Sequence, residues 1–103
     1  MQALGRLKTG EMNKTEAKYD AELKVRPDVV WYKFEGMKFR LADNTFYTPD
    51  FIVMLDNGQL EAHEIKGFWQ DDAKVKIKVA ASLYPLRFIA IKSVKGQWQI
   101  EEY

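Results

Sequence analysis

The sequence predicts an α/β (α+β) domain: a mixed β-sheet flanked by helices in the order αβββαββ. Three observations carry that expectation. A capped helical segment begins at Asn13, and two runs of β-branched and aromatic residues meet at Asp56-Asn57-Gly58. A second helical segment then separates that hairpin from a further strand, as a crossover connection requires.

Size and composition set the limits. At 103 residues the chain has room for one core, and its 47% hydrophobic and 30% charged residues suit a compact domain with a polar surface. The expected organisation is an N-terminal arm over 1–12 and a single domain over 13–103. There is no cysteine, so no disulfide framework and no thiolate zinc site, and any metal must be held by oxygen or nitrogen. No run has the form of a signal peptide or approaches the roughly 20 apolar residues of a membrane helix, so the expectation is a cytoplasmic protein without membrane attachment. A formal charge of +1 gives no global attraction to nucleic acid, which leaves that task to local charge.

In chain order, Asn13-Lys14-Thr15-Glu16 has the form of a capping box. Tyr19 and Leu23, with Ala17 and Ala21 nearby, continue it as a helix that ends before Pro27. Val29 to Phe34 and Met37 to Leu41 read as strands joined tightly through Glu35-Gly36, and Asp43-Asn44 marks the next turn. Phe46 to Leu55 and Gln59 to Gly67 form the most legible hairpin, because Asp56-Asn57-Gly58 suits a type I turn followed by a left-handed glycine bulge.

The loop length predicts the register. With Leu55 facing Gln59, Asp50 lies across from Glu64, and Lys66, two residues on, shares their face with Ile52, Met54, Leu60 and Ala62. The opposite face carries Phe51, Val53, Leu55, Gln59, Glu61, His63 and Ile65. Charged side chains at the end of an apolar face need a reason, since burying unpaired charge is costly.

Asp71 to Tyr84 alternates Val75, Ile77 and Val79 with Lys74, Lys76 and Lys78 as a strand would. It is read as a helix because Asp71-Asp72 supply an acidic first turn, Ala80-Ala81 favour helix and Pro85 stops it. Ala73, Ile77, Ala80 and Tyr84 then form one apolar stripe, and Val75, Val79 and Leu83 a second that would suit a partner subunit. Leu86 to Ser93 and Gln97 to Tyr103 are strands joined through Val94-Lys95-Gly96.

Asp50 opposite Glu64 supplies the carboxylates that suit Mg²⁺, with Mn²⁺ as substitute, and such an ion serves phosphodiester hydrolysis. Lys66 would orient water or stabilise phosphate charge, and Glu16, on the side of its helix that carries Tyr19 and Leu23, is the third acid. Tyr47-Thr48-Pro49-Asp50-Phe51 followed by Glu64-Ile65-Lys66-Gly67 resembles the signature of the PD-(D/E)XK nuclease superfamily. The further run Lys66-Gly67-Phe68-Trp69, Asp71-Asp72, a lysine-rich helix, Tyr84-Pro85 and Arg87-Phe88-Ile89 is similar to the endonuclease I family of T7-like phages, Holliday junction resolvases that act on branched DNA. This resemblance spans positions 13 to 92. It implies a restriction-endonuclease-like core in which Glu16, Asp50, Glu64 and the Ile65 carbonyl bind divalent metal and Lys66 assists catalysis. It also implies DNA as partner, a homodimer, and the cytoplasm of a bacterial host as location if the protein is phage-encoded. The Asp50 to Glu64 interval is longer than in the branched-DNA enzymes, and their extended basic C-terminal region has no counterpart, two departures that bear on junction specificity and on their intertwined dimer.

Plainer readings stand beside these. Glu64 and Lys66 alone could be an exposed ion-paired face, and Glu16 is explained by its cap as well as by a site. His63 points away from Glu64 and receives no role. Phe68 and Trp69 are assigned to packing in preference to base stacking. Lys74 and Lys78 are candidate phosphate contacts, ahead of Lys33, Lys38 and Arg40. The alternative to an endonuclease is a non-catalytic DNA-binding or assembly module on the same fold, and a third reading is an RNA nuclease.

Overall fold

The computed structural model describes residues 10–66 and 71–103. Most of the expected arm, and the pair Phe68 and Trp69, lie outside those residues. Helix α1 (Lys14–Val25) opens on the expected capping box, with Asn13 Oδ1 accepting the Glu16 N–H at 2.8 Å and Glu16 Oε1 accepting the Asn13 N–H at 2.9 Å. It stops at Arg26, which is extended because the following Pro27 crowds a helical conformation. Strands β1 (Val29–Phe34), β2 (Phe39–Ala42), β3 (Thr45–Tyr47), β4 (Phe51–Leu55) and β5 (Leu60–Lys66) follow, then α2 (Asp71–Leu83), β6 (Arg87–Val94) and β7 (Gln97–Glu102).

The fold is α+β, with a mixed five-stranded sheet and two helices, as the sequence predicted. The order αβββαββ is corrected: five strands precede α2, giving αβββββαββ. The run from Phe46 to Leu55 is two strands, because Pro49 removes a backbone donor and interrupts pairing. The first part, β3, folds back on β2 across Asp43-Asn44 as a separate two-stranded ribbon, with Asn44 taking the left-handed conformation at φ 54°. β1 and β2, expected to be tightly joined, belong to different sheets; β1 pairs with β4 instead.

The main sheet has the order β1-β4-β5-β6-β7, antiparallel except for β5 and β6, whose parallel pairing uses α2 as the crossover. The β4–β5 pairs Phe51↔His63, Ile52↔Ala62, Val53↔Glu61 and Met54↔Leu60 are in the register expected from the loop. Two cores result, one on each side. Tyr19 and Leu23 of α1 pack on Phe51, Val53, Ile65, Ile89 and Ile91, while Ile77 and Ala80 of α2 pack with Ile52, Ala62, Phe88 and the ribbon's Phe39 and Tyr47. Coverage of both faces explains why Phe51, Ile52 and Val53 are consecutive and all fully buried, with no polar alternation. The stripe of Val75 and Leu83 remains exposed. Among the described residues no helix is long and apolar enough to cross a membrane.

Candidate active site

The site forms where β4 begins and β5 ends. Continuing the β4–β5 register beyond Phe51↔His63 sets Asp50 across from Glu64 and Pro49 across from Ile65. Pro49 has no N–H to give the ladder. The Ile65 N–H also leaves the ladder, because Asp50 Oδ2 accepts it at 2.7 Å. Glu64 is held from a different element, with Tyr47 of β3 donating its hydroxyl to Glu64 Oε1 at 2.8 Å. The small ribbon, held over the α2 side of the sheet by Phe39 and Tyr47, therefore delivers a residue to the pair.

Burial and the charge of Glu64 push the Asp50 carboxyl well above the carboxylate range, only partly offset by the Ile65 amide, and Glu16 raises it further by charge and hydrogen bonding. Burial also pushes Glu64 up, against the hydrogen bonds it receives from Tyr47 and from the Asp50 amide and side chain, and Glu16 again adds to the rise. Two neighbouring carboxyls resist ionising together, so the pair favours holding a proton. Glu16 holds the capping box and faces Asp50 at once, so its two expected roles are compatible.

Lys66 lies on the same face, but its Nζ donates to Glu101 Oε1 of β7 at 2.6 Å. Register explains the meeting: Glu64 pairs with Ala90 and Ala90 with Glu101, so Glu64 and Glu101 share one face of the sheet two strands apart. Lys66 pairs with Lys92, whose side chain is exposed on that same face. Lys74 of α2 is near enough to help depress the Glu101 carboxyl, whose chief cause is the Lys66 hydrogen bond. Lys78 is exposed. Of the weaker candidates, Arg40 pairs with Asp43, and Lys38 sits 4.6 Å from the centre of the Phe46 ring.

The structure thus brings Asp50, Glu64, Ile65 and Glu16 together and ties Lys66 to a carboxylate the sequence reading passed over. Tyr47 was also passed over, although it stands two residues before Pro49 in the motif run. Glu101 had no local signal, since only pairing across β6 places it. Among the described residues no three His, Asp or Glu side chains form a ready-made metal cage. The donor set nonetheless fits a hard divalent ion: the ligands are carboxylate oxygens crowded enough to hold a proton, and Mg²⁺ commonly takes one or two carboxylates and keeps its waters. The chain matches no protein-family model, no curated protein and no solved structure.

Proposed function

We propose that this chain is a metal-dependent endodeoxyribonuclease of the PD-(D/E)XK type, hydrolysing phosphodiester bonds in branched or nicked phage DNA. The observation that carries this reading is the Asp50–Glu64 pair: two half-buried carboxyls facing each other across β4 and β5, where each raises the cost of ionising the other and a cation would relieve it. Asp50 and Glu64 would hold Mg²⁺ or Mn²⁺, with Glu16 and the Ile65 carbonyl as supporting ligands. Pro49, across from Ile65, offers that carbonyl no donor. When bound, the ion supplies charge neutralisation at the phosphate and eases deprotonation of the attacking water.

The chain's own residues do the rest. Tyr47 fixes one oxygen of Glu64 and leaves the other side of the carboxyl to face Asp50. Lys66 exchanges Glu101 for a phosphate oxygen as DNA arrives, bringing its charge to the scissile group. Lys74 and Lys78 lie on the helix that follows the site, where they would meet the backbone on either side of it. A homodimer through the exposed Val75 and Leu83 stripe would allow paired cuts.

The test is cleavage of supercoiled plasmid and four-way-junction DNA in Mg²⁺ or Mn²⁺. Asp50→Ala and Lys66→Ala are expected to lose activity by about 100-fold or more. Pure wild-type protein that cuts no branched, nicked or linear DNA with either ion sinks the reading. A second reading, a DNA-binding or assembly module without turnover, draws on the engagement of Lys66 by Glu101. It would appear as metal-independent DNA binding with no cleavage.

A further inference from the structure

On the face of β5 turned away from Asp50 and Glu64, a line of polar side chains runs through the core. The Tyr19 hydroxyl of α1 lies 2.6 Å from His63 Nδ1, and His63 Nε2 lies 2.8 Å from Glu61 Oε1. Glu61 Oε2 accepts from Arg87 Nη1 at 2.8 Å, and Arg87 Nε donates to Glu102 Oε2 at 2.7 Å. His63 is 0% and Glu61 2% exposed.

The protons along this line can be assigned. Full burial disfavours a charged His63 ring, and its neutral form satisfies both contacts. Burial opposes ionisation of Glu61 too, but the hydrogen bonds from His63 and Arg87 outweigh it and keep a carboxylate. A carboxylate only accepts, so Nε2 carries the ring hydrogen and Nδ1 is left to accept from Tyr19. Burial pushes the Tyr19 hydroxyl far above its ordinary range, so it stays a donor. The donors then converge on Glu61, from Tyr19 through His63 on the helix side and from Arg87 on the neighbouring strand.

Buried ion pairs are a weak source of stability, but a satisfied directional network excludes other registers that apolar packing tolerates. Its place in this fold gives that specificity a purpose. Tyr19 stands one turn after Glu16 on α1, and His63 directly precedes Glu64 on β5. One hydrogen bond therefore joins the helix that carries Glu16 to the strand that carries Glu64. The other contacts of α1 with the sheet are the longer hydrogen bond from the Tyr32 hydroxyl of β1 to the Asp20 carbonyl, at 3.3 Å, and apolar or aromatic packing such as Tyr19 edge-on to Phe51 at 5.6 Å and to Trp98 at 5.1 Å.

We propose that the Tyr19–His63–Glu61–Arg87 line is the positioning element of the acidic site, setting the rotation of α1 so that Glu16 stands against Asp50. Its consequence for metal affinity rests on the nuclease reading above; the anchoring itself does not. Tyr19→Phe is the variant of choice, because it removes the hydroxyl and keeps the ring packing. In metal-free protein, amides 16–19 should exchange about 10-fold faster in Tyr19→Phe while β4 and β5 amides keep their protection. In calorimetric titration with Mn²⁺, Tyr19→Phe should weaken binding by about 10-fold, as loss of a supporting partner commonly does. In a Glu16→Gln background the same change should cost less than about twofold, because the residue it positions is gone. Unchanged exchange in α1, or equal weakening in both backgrounds, overturns the proposal. If wild-type protein binds no Mn²⁺, the nuclease reading falls and the exchange result alone decides the anchoring.

Discussion

Asp50 shows how one residue joins fold to chemistry. Its carboxyl accepts the Ile65 N–H just past the paired part of the β4–β5 ladder, and in doing so comes up against Glu64. In the unfolded chain this carboxyl titrates near pH 4. In the folded chain burial and Glu64 raise its pKa past neutrality. The folded state then binds more protons than the unfolded state between those limits, so metal-free stability is full below about pH 4 and declines as pH rises through neutrality. Asp50→Asn keeps an oxygen for the Ile65 amide and adds an NH₂ that can donate to Glu64, without the charge. Urea unfolding should find this variant more stable than wild type by on the order of 1–2 kcal/mol at pH 8, with the gap closing toward pH 4. A variant less stable at pH 8, or a gap independent of pH, would show that the carboxyl is not held protonated.

At the scale of elements, the β4–β5 hairpin was the most legible part of the chain, because turn chemistry and strand period are both local. Gly58 takes φ 87°, its N–H reaches the Leu55 carbonyl at 2.9 Å, and the Leu55 N–H reaches the Gln59 carbonyl at 2.9 Å. That geometry fixed the register, and with it the facing of Asp50 and Glu64. Gly58→Ala meets no neighbouring atom, so its cost is conformational: about 1 kcal/mol in urea or thermal unfolding, with Mn²⁺ affinity unchanged. No measurable loss would mean the turn relaxes and the register is set elsewhere. Both helices were legible as well, α1 from its cap and α2 from Asp71-Asp72 and Pro85, despite the strand-like alternation of its lysines. What escaped was non-local. Pro49 was read as part of the motif and not as the break between β3 and β4, and pairing of β1 with β4 skips an intervening ribbon that nothing in either strand announces. Tyr47, Glu101 and the Tyr19–His63–Glu61 line all depend on such pairings. Even so, the face assigned to His63, away from Glu64, is the face it occupies.

For the whole molecule, the sheet acts as a partition. One side holds the neutral-ring network that anchors α1; the other holds the acidic pair, with Lys66 and Lys74 gathered toward Glu101. A net charge of +1 over the entire chain hides this segregation. On the proposed metal site it also sets up a linkage, since a divalent ion bound by Asp50 and Glu64 would displace the proton their pairing favours and would bind better as pH rises. Metal-free stability would fall with pH while the stability gained from metal would grow, so the two effects would oppose one another and can be measured in one series. At an ion concentration about 100 times the dissociation constant, binding to the folded state alone adds about 2.7 kcal/mol. For a domain of this size that is a rise in Tm of roughly 10–20 °C. Thermal unfolding with and without Mn²⁺ should therefore show a shift at pH 8 that shrinks by pH 5, and that is nearly absent in Glu64→Gln at either pH. A shift of equal size at both pH values, or one retained in Glu64→Gln, would place the ion somewhere other than the carboxyl pair.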